Sequence, residues 1–349
     1  MKRLLEHNTV LPEIFHSAYK LCFDVHDVLA QLLVSGMKQG IFVTDIKLES
    51  DRDKKAIDEA DDLIDWLRLS GRIEEEADVL VTVAFPAVLS DMLHCIFEAI
   101  EASRKGKLAV SFMLLRKPIQ ESLYLLESIV LDKNSFSAMI AYDPSKLRPQ
   151  NAGGVEGHSR RIGNVLNLIG ASGRFDAGYL AKLRYDKTEQ DSFDGVCNKA
   201  MHLFTDHKAI KTEQYNINFI FSSGLQSHTQ WSFLYSRLPY MLMYILALVE
   251  YITERFAQTL PVYSQDMARR LGASLILSNA CIGREYFRDH IDHLACETYR
   301  WLSDHCLSNG FVKPETEHFE RMASSGAFPG EPQSDVDARN RLYGQLAGL

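Results

Sequence analysis

The stretch LAVSFMLLRKPIQESLYLLESIVL, residues 108–131, carries the features that decide the fold. Its first half is apolar on every side of a helix, which is typical of a helix buried on all faces. Pro118 then interrupts the pattern. Because proline lacks a backbone N–H and crowds the preceding turn, it predicts a kink at this point. We therefore expect a central, kinked core helix.

Most of the remaining chain also has apolar residues at the helical repeat. The stretch 77–103 contains a VLVTV run that suits a strand, but the strongly helical pattern after it favours one long helix. The segments 41–48 and 215–223 are expected to be short and extended. No internal repeat of fixed length is present, which argues against a solenoid. The sequence predicts an all-α, multi-helix bundle.

Prolines and glycines cluster in residues 143–188, which predicts either a long irregular connection carrying one helix near 159–169 or a domain boundary. This connection follows an N-terminal helical part, residues 1–142, and precedes a C-terminal helical part, residues 189–323. We expect the two helical parts to pack together as one composite domain. Residues 324–349 are expected to form a tail.

The composition is that of an ordinary globular protein, with 46% hydrophobic and 24% charged residues. None of the six cysteines forms a CxxC pair, which favours reduced thiols over disulfides or a zinc site. No secretory signal is visible. Within the stretch 231–256, the apolar centre 238–249 is interrupted by Pro239 and bounded by Arg237 and Glu250, so it is too short to cross a bilayer. We expect a cytoplasmic protein without membrane contact.

The formal net charge of −8 argues against non-specific nucleic-acid binding, which depends on Lys and Arg meeting phosphates. Residues 143–213 are the one region with a small excess of basic side chains. That region is either a phosphate-binding surface or a solvated region with scattered Lys and Arg.

Arg116, Gln120 and Glu121 form the first group of polar residues with a candidate chemical role. They surround Pro118 in the apolar stretch, where a charged side chain needs a partner. One interpretation is that the kink directs Arg116 and Glu121 into a cleft. The other is that Arg116 joins two helices through a carboxylate.

Asn198 and His202 form the second group, in FDGVCNKAMHLFT. Their spacing of four places both side chains on one face of a helix. Histidine is the side chain best suited to proton transfer near neutral pH. His202 is therefore either a proton-transfer group or a core histidine that donates to a carbonyl.

The segment CIGREYFRDHIDHLACETYRWLSDHC holds the third group. Glu285, Asp289 and His293 recur every four residues, so a continuous helix would place them in one stripe. The stripe is either half of a metal site or a solvated helix face.

Within the same segment, the pattern Arg288-Asp289-xxx-His293 resembles the motif of HEPN domains. These are helical bundles of bacterial toxins, abortive-infection proteins and RNA-processing nucleases. The resemblance implies a metal-independent ribonuclease site in which Arg and His from two paired subunits act together.

A wider resemblance covers residues 108–252. LLRKPIQESLYLLE, NKAMHLFT, NFIFSS and LPYMLMYILALVEY are similar to uncharacterised bacterial helical proteins described as HEPN-like. Carried over residue by residue, this resemblance implies Arg116, Glu121, Asn198 and His202 as site residues.

Motifs for common cofactors are absent from the sequence: no GxxxxGK[ST], GxGxxG at a strand–helix junction, GxSxG or HExxH occurs. The pairs Asp91/His94 and Glu315/His318 have the acid-x-x-His spacing of di-iron bundles, but partner glutamates are not evident. We expect neither a metal nor a cofactor. A metal-dependent helical-bundle enzyme is a further hypothesis, beside the two described next.

The leading hypothesis is a HEPN-like protein that acts on RNA, or a component of a bacterial stress or phage-defence system. His202 or His293 would transfer a proton, and Arg116 or Arg288 would stabilise charge on the phosphate. The alternative is a non-catalytic helical interaction protein that binds a protein partner. In either case we expect a homo-oligomer. An enzyme requires the site residues to converge on an open cavity, whereas a scaffold would pair and seal them.

Overall fold

All regular secondary structure in the part of the chain described here is helical, which confirms the predicted all-α bundle. The computed structural model describes residues 9–189, 191–202 and 224–346. Residues 41–48 follow the first helix without forming a strand. The other segment predicted to be extended, 215–223, lies outside the described residues.

In chain order the α-helices of the described residues are α1 (His16–Gln39), α2 (Asp51–Glu59), α3 (Leu63–Leu69), α4 (Ile73–Arg104), α5 (Leu108–Lys117), α6 (Leu123–Leu131), α7 (Lys133–Tyr142), α8 (Gly154–Leu168), α9 (Ala177–Tyr185), α10 (Phe193–Lys199), α11 (Gly224–Thr253), α12 (Pro261–Ala280), α13 (Asp289–Ser308), α14 (Phe319–Ser325) and α15 (Gln333–Leu346). A π-helical turn, Pro118–Ser122, joins α5 to α6.

The helices α4 and α11 are the longest, and they differ in how much of their apolar surface is covered. Both have the length and composition of a membrane-spanning helix, a property that long core helices share. In α11, 89% of the most apolar window is buried, compared with 33% in α4. The predicted core role of the apolar stretch in α11 is therefore confirmed. The VLVTV run lies inside α4 and is helical, as the sequence favoured.

The region 143–188 is more regular than the sequence predicts. It contains α8 and α9, which pack against each other, and α8 also packs on α6. Ile162 and Leu180 on these helices have no exposed surface. Their burial adds this region to the core. The sequence predicted one helix here, near 159–169, and the structure has two.

The predicted tail, residues 324–349, also contains a helix, α15. Val336 on this helix is fully buried. Arg339 donates to the carbonyl oxygen of Gly326 at 3.0 Å and forms an ion pair with Glu331. These contacts hold the end of the described chain against α14.

Pro118 begins the π-helical turn, and this widened turn takes the place of the predicted simple kink. A π-helical turn shifts the regular hydrogen-bond ladder and leaves backbone carbonyls in need of donors. Two neighbouring residues of α9 supply them. Arg184 Nε donates to the carbonyl oxygen of Ile119 at 2.8 Å, and the Tyr185 hydroxyl donates to that of Gln120 at 2.9 Å.

The same arginine forms the most deeply buried ion pair of the bundle. Arg184 and Glu127 both have no exposed surface, and Arg184 Nη1 donates to Glu127 Oε1. The Tyr244 hydroxyl donates to that carboxylate oxygen at 2.8 Å. A buried charge without a partner is strongly unfavourable, so the pair holds α6, α9 and α11 in one arrangement.

Replacing Arg184 with Met should lower the free energy of unfolding by about 3 kcal/mol, because it leaves the buried Glu127 with only the more distant Arg161, whose Nε lies 3.9 Å from Glu127 Oε2. Urea unfolding followed by circular dichroism measures this loss. The control is Lys117→Met, which breaks the exposed ion pair of Lys117 with Asp91. That substitution should cost less than about 1 kcal/mol. Equal losses in the two variants would contradict the structural role of the buried pair.

Candidate functional site

A polar cleft opens beside the π-helical turn, where α5, α8 and α9 come together. Its volume is about 170 Å³. We refer to it as the Arg116 cleft, and its lining residues are Arg116, Gln120, Glu121, Pro149, Gln150, Gly154, His158, Tyr185, Lys187 and Asp194.

Arg116 is the cation in the wall of this cleft. Its side chain is half-buried, and its Nε is buried without a hydrogen-bond partner. Glu121 lines the same cleft and is exposed. Neither side chain forms an ion pair within the described ranges. The structure therefore brings these two predicted residues together at a cleft, and no carboxylate in the described part of the chain joins Arg116 to another helix.

Gln120, Asp194 and Asn198 form a hydrogen-bonded group at the wall of the cleft. Gln120 Nε2 donates to Asp194 Oδ1 at 2.6 Å and to the carbonyl oxygen of Arg184 at 2.8 Å. Asn198 Nδ2 donates to the same Asp194 oxygen at 2.5 Å. Asp194 is buried and lines the cleft, whereas Asn198 lies behind it. Asn198 thus contributes by fixing the position of Asp194.

His202 lies outside the lining of the cleft, and its side chain is exposed. The helix α10 ends at Lys199, so the predicted helix face shared by Asn198 and His202 does not form. The N–H groups of Met201 and His202 donate to carbonyls three residues back. Hydrogen bonds over three residues wind the chain more tightly than an α-helix and are typical of a helix terminus. The chain beyond it, residues 203–223, is outside the described part.

His158 on α8 is a cleft residue that the sequence analysis did not identify. Its ring stacks on Tyr185 with centroids 3.4 Å apart and planes 11° apart. The residue is buried, and no described residue accepts from or donates to its Nδ1. Burial, and then the nearby cations Arg184 and Arg161, lowers the pKa of His158 to about 4. The imidazole is therefore neutral near pH 7.

The N-terminus of α8 also reaches the cleft, since Gly154 is among the lining residues. Gly153 and Gly154 have φ angles of 86° and 71°, the left-handed region that glycine adopts most easily. These glycines turn the chain into α8 at this point. The first N–H groups of a helix lack partners within the helix and carry partial positive charge.

A larger groove continues from the cleft and shares Glu121, Pro149 and Gln150 with it. Its volume is about 800 Å³. We refer to it as the apolar groove. Its other lining residues are Leu125, Ile140, Pro144, Leu147, Arg148 and Asn151.

Charges along the cleft and the groove are mixed, with an excess of cations. Arg116, Arg148 and Lys187 line them, and none of the three forms an ion pair with a residue that the structure describes. The carboxylates are Glu121 and Asp194. In a chain of net charge −8, this is a local surface on which an anion would meet unpaired cations.

The alternative set Arg288, Asp289 and His293 is arranged differently from the prediction. The helix α13 begins at Asp289, and Glu285 lies in a separate short turn, so the continuous stripe of acidic residues and histidine does not form. His293 Nε2 lies 2.9 Å from the carbonyl oxygen of Gly173. None of these residues lines the Arg116 cleft.

Arg288 belongs instead to a partly buried cluster around Asp191. Arg288 Nη2 lies 3.0 Å from Asp191 Oδ1, to which Arg237 Nε also donates at 2.9 Å. The Tyr179 hydroxyl donates to Asp191 Oδ2 at 2.9 Å. These contacts give Arg288 a role in holding α9, α11 and the start of α13 together.

Within the residues that the structure describes, no group of three or more His, Cys, Asp or Glu side chains is arranged to hold a metal ion. The two acid-x-x-His pairs noted in the sequence make local contacts. Asp91 pairs with Lys117 at 2.8 Å, and His318 Nδ1 accepts from the backbone N–H of Glu315 at 3.0 Å.

The low pKa of His158 predicts a pH effect on stability. In the unfolded chain its pKa should be near the ordinary value of 6.5, so between pH 6.5 and 4 the unfolded state binds more protons. The free energy of unfolding is therefore highest above pH 6.5. As the pH falls towards 4, it decreases by up to about 3 kcal/mol, because the unfolded state gains the proton that the buried His158 does not. Urea unfolding of the wild type and His158→Gln across this range measures it. The wild type should lose more stability on acidification, and parallel curves would contradict the burial of a neutral imidazole.

Comparison of this chain with protein-family models, curated proteins and solved structures finds no match. The resemblance to HEPN domains accordingly stays a prediction.

Proposed function

We propose that this protein binds an anionic ligand in the Arg116 cleft, with the guanidinium of Arg116 as the main contact. One observation supports the proposal above all others. The buried Nε of Arg116 has no acceptor among the described residues, although it lies beside an open cleft. A buried donor without an acceptor costs free energy, and a ligand oxygen would remove that cost.

Two further groups favour an anion in the same place. Lys187 adds a positive charge, and the N-terminus of α8 adds N–H groups at Gly154. The ring of the neutral His158 also hydrogen-bonds the backbone of Pro149, so its Nδ1 is left to accept from a hydroxyl of the ligand. The planar guanidinium matches the oxygens of a phosphate or a carboxylate, so both head groups fit this chemistry.

The carboxylates Glu121 and Asp194 restrict what the rest of the ligand can be. They would repel a second anionic group close to the first. They would also accept hydrogen bonds from a hydroxyl or amine next to the anion. The cleft thus favours a single anionic head group, and a hydroxyl of that group, such as a phosphate P–OH, can donate to these carboxylates.

Isothermal titration with inorganic phosphate tests the proposal, and Arg116→Ala should weaken phosphate binding at least about tenfold, a loss of roughly 1.4 kcal/mol. The matched control is Lys117→Ala, which removes the neighbouring cation that pairs with Asp91 outside the cleft. Its affinity for phosphate should equal that of the wild type. Unchanged affinity in Arg116→Ala, with the fold confirmed by circular dichroism, would overturn the proposal.

RNA cleavage is a second candidate function, and the presence of His158 in the cleft favours it. A histidine, an arginine and two carboxylates line one cavity, which are the residue types that the sequence-based ribonuclease hypothesis requires. In such a reaction the 2′-hydroxyl attacks the adjacent phosphorus and a base takes its proton. The 5′-oxygen leaves and is protonated. His158 would take the proton-transfer role predicted for His202, and Arg116 would stabilise the phosphate charge.

Incubation of single-stranded RNA with the purified protein in the presence of EDTA tests this second candidate. His158→Ala should lower the cleavage rate by about 10² or more, as expected for loss of a proton-transfer group. His202→Ala is the matched histidine control and should keep the wild-type rate. Absence of cleavage by the wild type, or loss of cleavage in His202→Ala alone, would rule out this role for His158 without affecting the phosphate-binding proposal.

A further inference from the structure

We infer that the natural ligand is a phosphate monoester of a short apolar chain, with the phosphate on Arg116 and the chain in the apolar groove. This inference rests on the proposed function, because it names the class of anion that the Arg116 cleft would hold. It is carried by the connection between the small polar cleft that holds Arg116 and a larger groove with apolar walls.

The volume of the cleft suits a head group alone, whereas the volume of the groove suits a small organic molecule. Sites for small organic molecules usually enclose about 300–1,000 Å³. The Arg116 cleft, at about 170 Å³, is smaller than this and suits a phosphate. The adjoining groove of about 800 Å³ lies within the range. A ligand held only in the cleft would leave the groove empty, whereas a ligand with a tail would use both.

The groove walls determine the chemistry of that tail. Leu125 comes from α6, Ile140 from α7, and Pro144 and Leu147 from the segment that follows α7. Leu125 and Ile140 are half-buried, so part of each apolar side chain faces solvent. An apolar chain would remove this surface from water, and each methylene buried should tighten binding about fourfold.

The donors around the head group favour phosphate over carboxylate. Arg116, Lys187 and the N-terminus of α8 approach the cleft from three separate elements, and a phosphate offers three terminal oxygens to them. A carboxylate offers two oxygens in one plane. Arg148 on the groove adds another unpaired cation, which disfavours a positively charged amphiphile.

Titration calorimetry of the full chain with inorganic phosphate, ethyl phosphate, octyl phosphate and octanoate tests the inference, with the octyl compounds kept below their micelle concentrations. Octyl phosphate should bind at least tenfold more tightly than ethyl phosphate and than octanoate. Leu125→Gln should remove the advantage of the octyl chain and leave the affinity for inorganic phosphate unchanged.

The control for the apolar wall is Leu168→Gln, an exposed leucine on α8 that lines neither the cleft nor the groove. It should preserve the preference for octyl phosphate. Should Leu125→Gln fail to fold, Ile140→Thr provides the same comparison. Equal affinities for ethyl and octyl phosphate would overturn the inference while Arg116-dependent phosphate binding, and with it the proposed function, stands. Octanoate binding as tightly as octyl phosphate would overturn the assignment of a phosphate head group.

Discussion

The buried ion pair between Arg184 and Glu127 is the interaction on which the rest of the structure depends. Neither side chain reaches solvent, so the two charges rely on each other and on a few fixed hydrogen bonds, with Arg161 Nε a further 3.9 Å contact of Glu127. The same guanidinium donates to the carbonyl oxygen of Ile119 in the π-helical turn. The pair thereby fixes α9 against α6 and α11, and it stabilises the widened turn that forms one wall of the cleft.

Two arginines near this turn differ in burial and in pairing, and the proposed function rests on this difference. Arg184 is sealed and fully paired, as expected for a cation that holds helices together. Arg116 lies in the wall of an open cleft with its Nε unpartnered in the described structure. A packing role explains the first side chain. It does not explain the second, and the Nε without an acceptor is the observation behind the proposed anion site.

The sequence predicted the helical class well because apolar periodicity reports directly which face of each segment is buried. It also located the distortion at Pro118, since the cause is a local property of proline. The pairing of Arg184 with Glu127, separated by 57 positions, depends on tertiary packing and has no local pattern. His158 was not identified because it lies at the edge of the helix predicted near 159–169, and no local pattern places that edge beside Arg116. His202 was misplaced because the end of α10 is set by backbone contacts that residue spacing does not reveal.

The most direct test of an anion site at Arg116 is the NMR response of its side chain to phosphate. With ¹⁵N-labelled arginine, the Nε–Hε signal of Arg116 can be assigned by its loss in Arg116→Lys. Phosphate should shift this signal in a saturable manner, while the signal of the sealed Arg184 stays in place. A signal of Arg116 that is unaffected at phosphate concentrations that saturate binding elsewhere on the protein would contradict an anion site at Arg116.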